Sequence, residues 1–177
     1  MASSLQSLVD SIVSATAGLP DAAALARWSP ELSGDIDIRI LTNGSWTHNG
    51  EPILREGLVR VFASLLRRED DGDYYLVTPA EKWRIQVERH ALVGVDCEHT
   101  DGIWKVLLNT GGRCRVGGGN RLHVAGSDGE PYLEVPNGLS AQISRAAWYR
   151  LLDAALVDEE RAYIISAGEE VSLGATS

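Results

Sequence analysis

The stretch YYLVTPAEKWRIQVE, Tyr74 to Glu88, reads as two β-strands with a hard break between them. Tyr74 to Val77 and much of Trp83 to Val87 are aromatic or β-branched, the side chains that suit a pleated surface. Trp83, Ile85 and Val87 alternate with Arg84, Gln86 and Glu88, so the second run has one apolar and one polar face. Between the runs, Pro79 fixes its own φ and biases Thr78 towards extended geometry. The joint Thr78-Pro79-Ala80-Glu81-Lys82 is therefore stiffer than a glycine turn. Such a joint can hold Lys82 and Arg84 near a wall formed by Trp83 or Trp46. A cation beside an aromatic face suits a small anionic ligand with a flat ring. The plainer reading is a domain crossover with Glu81 and Lys82 in a salt bridge, and alternation sets Trp83 and Arg84 on opposite strand faces.

On the N-terminal side, Ile36, Ile38 and Ile40 alternate with Asp35, Asp37 and Arg39, which predicts a half-buried strand. Asn43-Gly44 and Asn49-Gly50 are tight-turn signals, so Ser45 to His48 should return antiparallel. Leu54, Leu58, Val61, Phe62 and Leu65 fit one face of a helix, with Glu56 and Arg60 spaced as an i,i+4 pair and Arg67 to Asp70 closing it in charge. Further back, Leu5, Leu8, Val9, Ile12 and Val13 recur at helical spacing behind a Ser3 or Ser4 cap. Gly18-Leu19-Pro20 stops that helix, Asp21 caps a second one to Arg27, and Glu31 to Gly34 reads as linker.

On the C-terminal side the β signal dominates. Ala91 to Glu98 and Ile103 to Asn109 form a hairpin around Asp101-Gly102. Strands follow near Leu122–Val124, Tyr132–Val135 and Leu139–Ile143. Trp148, Leu151, Leu152, Ala155 and Leu156 predict a late helix capped by Ser144. Tyr163 to Ile165 and Val171 to Leu173 close the chain as short strands. The order implies an α+β fold with antiparallel sheets rather than a βαβ array, and both halves place a helix after antiparallel strands.

With 177 residues, 44% hydrophobic and 23% charged, the chain suits one domain or two small ones sharing an interface. The net charge of −9, from 16 Lys+Arg against 25 Asp+Glu, argues against a nucleic-acid polymer or an anionic membrane as partner. The 2 cysteines, Cys97 and Cys114, are too few for a disulfide scaffold. Cys97 shares the strand face of Val93 and Val95, which predicts a buried, inert thiol. Ser14 to Ala17 imitates a small-residue cleavage site, but Asp10 interrupts the apolar run and no basic residue precedes it. The expected location is cytoplasmic.

No motif is decisively catalytic. The run Gly111 to Asn120 lacks the Lys-Ser/Thr pair of a phosphate loop and reads as a flexible hairpin, though Arg113 and Arg115 could touch an anion. The four histidines and two cysteines lack paired metal-ligand spacing, so no metal or cofactor is expected. His48 and Glu81 are the residue types for acid–base work in a small hydrolase, although nothing in the sequence brings them together.

Four segments together, Gly44–Ile53, Leu58–Glu69, Tyr74–Glu88 and Pro131–Leu152, resemble one proteobacterial family of unknown function whose members are of similar length. The resemblance spans roughly Ile36 to Ile165. It implies a duplicated α+β core, a C-terminal half like a pleckstrin-homology fold, and a pocket between the halves for a nucleotide-like ligand in a signalling role. Trp46, His48, Thr78, Glu81 and Lys82 match the family's motif positions, while the extra glycines of 111–120 depart from the pattern. On this reading residues 1–30 form a helical lead, 31–82 the first half and 83–177 a partial barrel with the late helix. The joint at Thr78 to Lys82 would then be the crossover at the seam. The expected function is sensory binding of a small anionic, nucleotide-like ligand by Trp46, His48, Thr78, Glu81, Lys82 and Arg84. A protein-interaction module and a hydrolase using His48 and Glu81 are the alternatives.

Overall fold

A computed structural model describes residues 5, 8–10, 12, 18–124 and 129–176. Ser3, Ser4, Val13 and the Ser14–Ala17 segment lie outside the described residues. Leu8 and Ile12 are helical and buried, and they join the main core. Helix α1 (Ala22–Arg27) starts at Asp21, whose Oδ1 accepts a hydrogen bond from the Ala24 N–H at 2.7 Å.

The first sheet holds β1 (Leu32–Ile40), β2 (Trp46–His48), β3 (Glu51–Pro52), β4 (Leu66–Arg68), β5 (Tyr74–Val77) and β6 (Lys82–Val87), in the order β3-β2-β1-β6-β5-β4. Helix α2 (Glu56–Ser64) connects β3 to β4. The second sheet holds β7 (Leu92–Thr100), β8 (Ile103–Leu108), β9 (Arg113–Arg115), β10 (Leu122–His123), β11 (Tyr132–Val135) and β12 (Leu139–Ile143). Its order, β10-β11-β12-β7-β8-β9, is the first sheet's order with six added to each strand number and read from the other edge. The duplication is thus visible in topology although the two halves share no obvious sequence repeat. Helix α3 (Arg145–Asp153) follows β12, and its N-terminus is capped by Ser144 Oγ, which accepts from the Ala147 N–H. One six-stranded sheet curls into a half-barrel, and a third sheet of β13 (Leu156–Val157), β14 (Arg161–Ser166) and β15 (Glu169–Ala175) ends the chain.

The α+β class with its late helix is as the sequence implies, and four details differ. First, the sheets are not wholly antiparallel. β1 pairs with β6, and β7 with β12, in parallel, because each half places its first strand beside its last and the intervening strands serve as the crossover. Second, the first sheet does not end at residue 82. β6 is hydrogen-bonded to both β5 and β1, so the Thr78–Glu81 joint is a hairpin inside one sheet and the halves divide after Val87. Third, Glu31 to Gly34 is not all linker, since β1 begins at Leu32, and Leu66 to Arg68 forms an edge strand rather than a helix end. Fourth, Leu156 leaves the late helix for β13.

The core runs through both halves without interruption: Ile38, Ile40, Phe62 and Leu76 from the first join Leu92, Val106, Leu133 and Ile143 from the second. Leu25 of α1 packs with Tyr75 and Val77 on the opposite side of β5 from Leu76. Cys97 is buried, as is Cys114, and both are free thiols. Burial pushes them up to about 12 and about 11, which leaves little reactive thiolate near neutral pH. Cys97 does not share its face with Val95, however. Between Gly94 and Asp96 the β7–β8 register slips by one, making Val95 the extra residue of a β-bulge and turning it outward, 45% exposed.

Candidate functional site

The six residues expected to form a site fall at two ends of the first sheet. Trp46 lies opposite Ile40 and His48 opposite Ile38, whereas Lys82 lies beside Leu32 on the other flank of β1. Leu32 to Ile38 corresponds to roughly 20 Å of extended strand. His48 and Glu81 are therefore not brought together, and no acid–base pair is built from them.

The Thr78–Lys82 joint has a structural purpose. Thr78 is buried; its N–H donates to the Glu81 carbonyl at 2.8 Å, and its hydroxyl accepts from the Glu81 N–H at 2.9 Å. Pro79 occupies the position where a preset φ favours a turn. Lys82 turns inward: its Nζ donates to Glu69 Oε2 at 3.0 Å and sits 4.8 Å from the centre of the Tyr75 ring. Glu69 is also bound by Arg67 at 2.5 Å, and Arg67 donates to the carbonyls of Leu25 and Trp28. This chain of contacts fastens the end of α1 to β4. Arg84 is likewise committed, to Asp35 at 2.7 Å and Asp73 at 3.1 Å. Both cations thus already have carboxylate partners within the fold.

Glu69 carries a testable consequence. Burial alone would raise its pKa, but hydrogen bonds and charge from Arg67 and Lys82 outweigh that and hold it below its ordinary 4.5. A carboxyl lowered in the folded state contributes stability above its unfolded pKa and loses it as pH falls through the lower folded value. Glu69→Gln is expected to flatten this part of the acid limb, read as denaturation midpoint against pH below about 4.5. An acid limb identical to wild type would show that the network adds nothing.

One cleft among the described residues lies elsewhere on the seam. It has a volume of about 400 Å³ and draws its walls from both halves: Gly44, Trp46 and α2 on one side, Val95 and the Leu108–Gly111 corner on the other. Trp46 is 2% exposed and stacks on Phe62 with ring centroids 6.1 Å apart. Its indole N–H is buried and has no hydrogen-bond partner among the described residues, an arrangement shared by Trp83. Asn109 bolts the corner together. Its side-chain oxygen accepts from the Val93 N–H at 3.0 Å, and its amide donates to the Gly44 carbonyl at 3.2 Å, joining the two halves. Arg60 does not form the expected pair with Glu56. It lies over Gly111, where a Cβ would come within 3.0 Å of its Nε.

Of the expected residues, then, only Trp46 lines this cleft. Arg60 and Asn109 were not singled out as site residues from sequence. Arg60 carried one signal, its i,i+4 spacing from Glu56 on the helix. Asn109 carried none, because its partners Val93 and Gly44 are set by tertiary folding. The Gly111–Asn120 run resolves as strand β9 followed by a tight glycine turn. Gly117 N–H donates to the Asn120 carbonyl at 3.0 Å, and Gly118 N–H to Glu169 Oε2 at 2.9 Å. Among the described residues no cluster of three or more His, Cys, Asp or Glu could hold a metal ion, and no helix is long and apolar enough to cross a membrane.

These features define a class: a duplicated α+β protein with two six-stranded sheets of one topology and a cleft where they meet. Family models place it more narrowly. The N-terminal domain of the DUF1285 family of unknown function matches residues 23–90, and its C-terminal domain matches 91–173. The chain belongs to the DUF1285 family. The junction of the two family domains falls between β6 and β7, where the sheets divide. Among solved structures, a DUF1285 family protein from Silicibacter pomeroyi DSS-3 is 34% identical with a TM-score of 0.80, covering 95% of this chain and 94% of its own. Another from Shewanella baltica OS155 is 28% identical with a TM-score of 0.57, covering 67% and 91%. No curated protein matches.

Proposed function

We propose that this protein binds a small ligand bearing an anionic group in the seam cleft, and that occupancy of the seam is the signal it passes on. Arg60 carries the reading. Its guanidinium has no ion pair or hydrogen bond among the described residues, and it lies across the seam inside a cleft walled by both halves. A planar guanidinium favours a carboxylate or phosphate in bidentate geometry. The unpaired Trp46 indole N–H adds a second reason. A buried donor left unsatisfied costs about 1–3 kcal/mol, and a ligand acceptor that displaced the side chains covering it would relieve that cost. A ligand touching both walls also stabilises their relative placement, which gives binding a mechanical readout. A nucleotide-like ligand, as the family resemblance implies, is one form of such an anion. A cytoplasmic location goes with this reading, in keeping with two free thiols.

The test is thermal unfolding of the full chain with mononucleotides, inorganic phosphate and small carboxylates. A true ligand at 100 times its Kd should add about 2.7 kcal/mol. Arg60→Gln should abolish the response, while Lys82→Ala should keep it, since Lys82 serves Glu69. If nothing stabilises the wild type, or if Arg60→Gln responds as wild type does, the cleft is not the site. A protein-interaction role rests on a separate observation. Leu156, Val157 and Ile165 are 48%, 67% and 45% exposed on the third sheet, where β13 is an edge strand open to an added strand.

A further inference from the structure

The chemistry of the cleft walls narrows the ligand class, an inference that rests on the seam reading above. Glu56 and Arg60 both line the cleft, one helical turn apart on α2. At that spacing an acid and a base ordinarily pair. Here neither has a hydrogen bond or ion pair among the described residues: Arg60 lies over Gly111, and the Glu56 carboxylate is left without a cation. An unpaired acid and an unpaired base thus open on one space.

The remaining wall is largely hydrocarbon. Val59 and Leu108 are half-buried, while Leu54 is 85% and Val95 45% exposed. Val95 reaches the cleft because the β7 bulge turns it outward. A dianionic phosphate would meet a single guanidinium together with the like charge of Glu56, and ribose hydroxyls would lie on apolar side chains. A plain fatty acid would leave the Glu56 carboxylate with water as its only partner. A zwitterion satisfies both charges at once. We propose that the seam cleft takes an α-amino acid with an apolar side chain: its carboxylate on Arg60, its ammonium on Glu56, and its side chain against Leu54, Val95 and Leu108. The two charges of such a ligand sit on one carbon, which suits partners whose Cβ atoms are ~5–6 Å apart at i,i+4 spacing.

Isothermal titration of the full chain tests this with L-leucine and L-phenylalanine. Each is compared with its deaminated acid (4-methylpentanoate, 3-phenylpropanoate), its decarboxylated amine (3-methylbutylamine, 2-phenylethylamine) and AMP. The amino acid should bind at least about tenfold more tightly than either analogue. Glu56→Gln should erase its advantage over the acid while sparing the acid, and Arg60→Gln should weaken both. Both residues are exposed, so neither change disturbs the core. If the acid binds wild type as tightly as the amino acid, or AMP binds where no amino acid does, the zwitterion assignment falls and the cleft reading stands. If no probe binds at all, both fall.

Discussion

Phe62→Ala is expected to lower the stability of the folded chain by about 3–5 kcal/mol, read from the midpoint of denaturant unfolding. Phe62 is 0% exposed and is the side chain through which α2 enters the shared core. One face of its ring meets the Trp46 indole at an interplanar angle of 24°. Removing the ring deletes buried area and leaves a void beside a tryptophan whose N–H already lacks a partner. A domain of this size has a total stability of about 5–15 kcal/mol, so the loss takes a large share of it. Phe62→Leu, which keeps most of the volume, should cost about 1.5 kcal/mol or less. A loss under about 1 kcal/mol for the alanine variant would mean that α2 is not anchored through this ring.

Gly44→Ala should cost about 2–4 kcal/mol, from two separable causes. The residue has φ +84°, a conformation that side chains avoid. In addition, a Cβ there would lie 2.7 Å from Val93 Cγ2 and 2.8 Å from Asn109 Nδ2. The crowding therefore falls on the contact where Asn109 joins the two halves. Gly50→Ala provides the comparison, because its φ is +82° yet nothing lies within 4 Å of the new carbon. The difference between the two midpoints isolates the steric part. Equal losses would show that the seam yields without cost, and the cleft would then be a poor place to hold a ligand rigidly.

Much of the architecture was legible from local pattern. The alternation at Ile36 to Ile40, the turns at Asn43-Gly44 and Asn49-Gly50, and the caps at Asp21 and Ser144 act over a few residues, and each element formed there. The misreadings share a different origin. Parallel pairing of β1 with β6 joins residues about fifty positions apart, and no short window carries that information. The edge strand Leu66–Arg68 was hidden because its charges resemble a helix end until β5 is placed beside it. The outward turn of Val95 follows from a one-residue register slip that composition does not announce.

The candidate site was less legible than the fold. Lys82 was singled out as a cation beside aromatic residues, and it does stand over an aromatic ring. The sequence could not disclose that Glu69, thirteen residues earlier, would neutralise it. Conversely, Arg60 and Glu56 have the spacing of a routine helical ion pair. In the fold Arg60 lies against Gly111 of the second half, a neighbour that helical spacing does not announce.

Because each half seats its opening strand against its closing one, neither sheet is complete until its last segment has been synthesised. On the ribosome, β1 must wait with an unmatched flank until Lys82 to Val87 emerges, and β7 repeats the wait for Leu139 to Ile143. Two successive closures of this kind are slow steps, since distant parts of the chain must meet before either sheet is sealed. Nascent chains halted just short of either closing strand would present bare edges to one another, and that is where misassembly in the cell would begin.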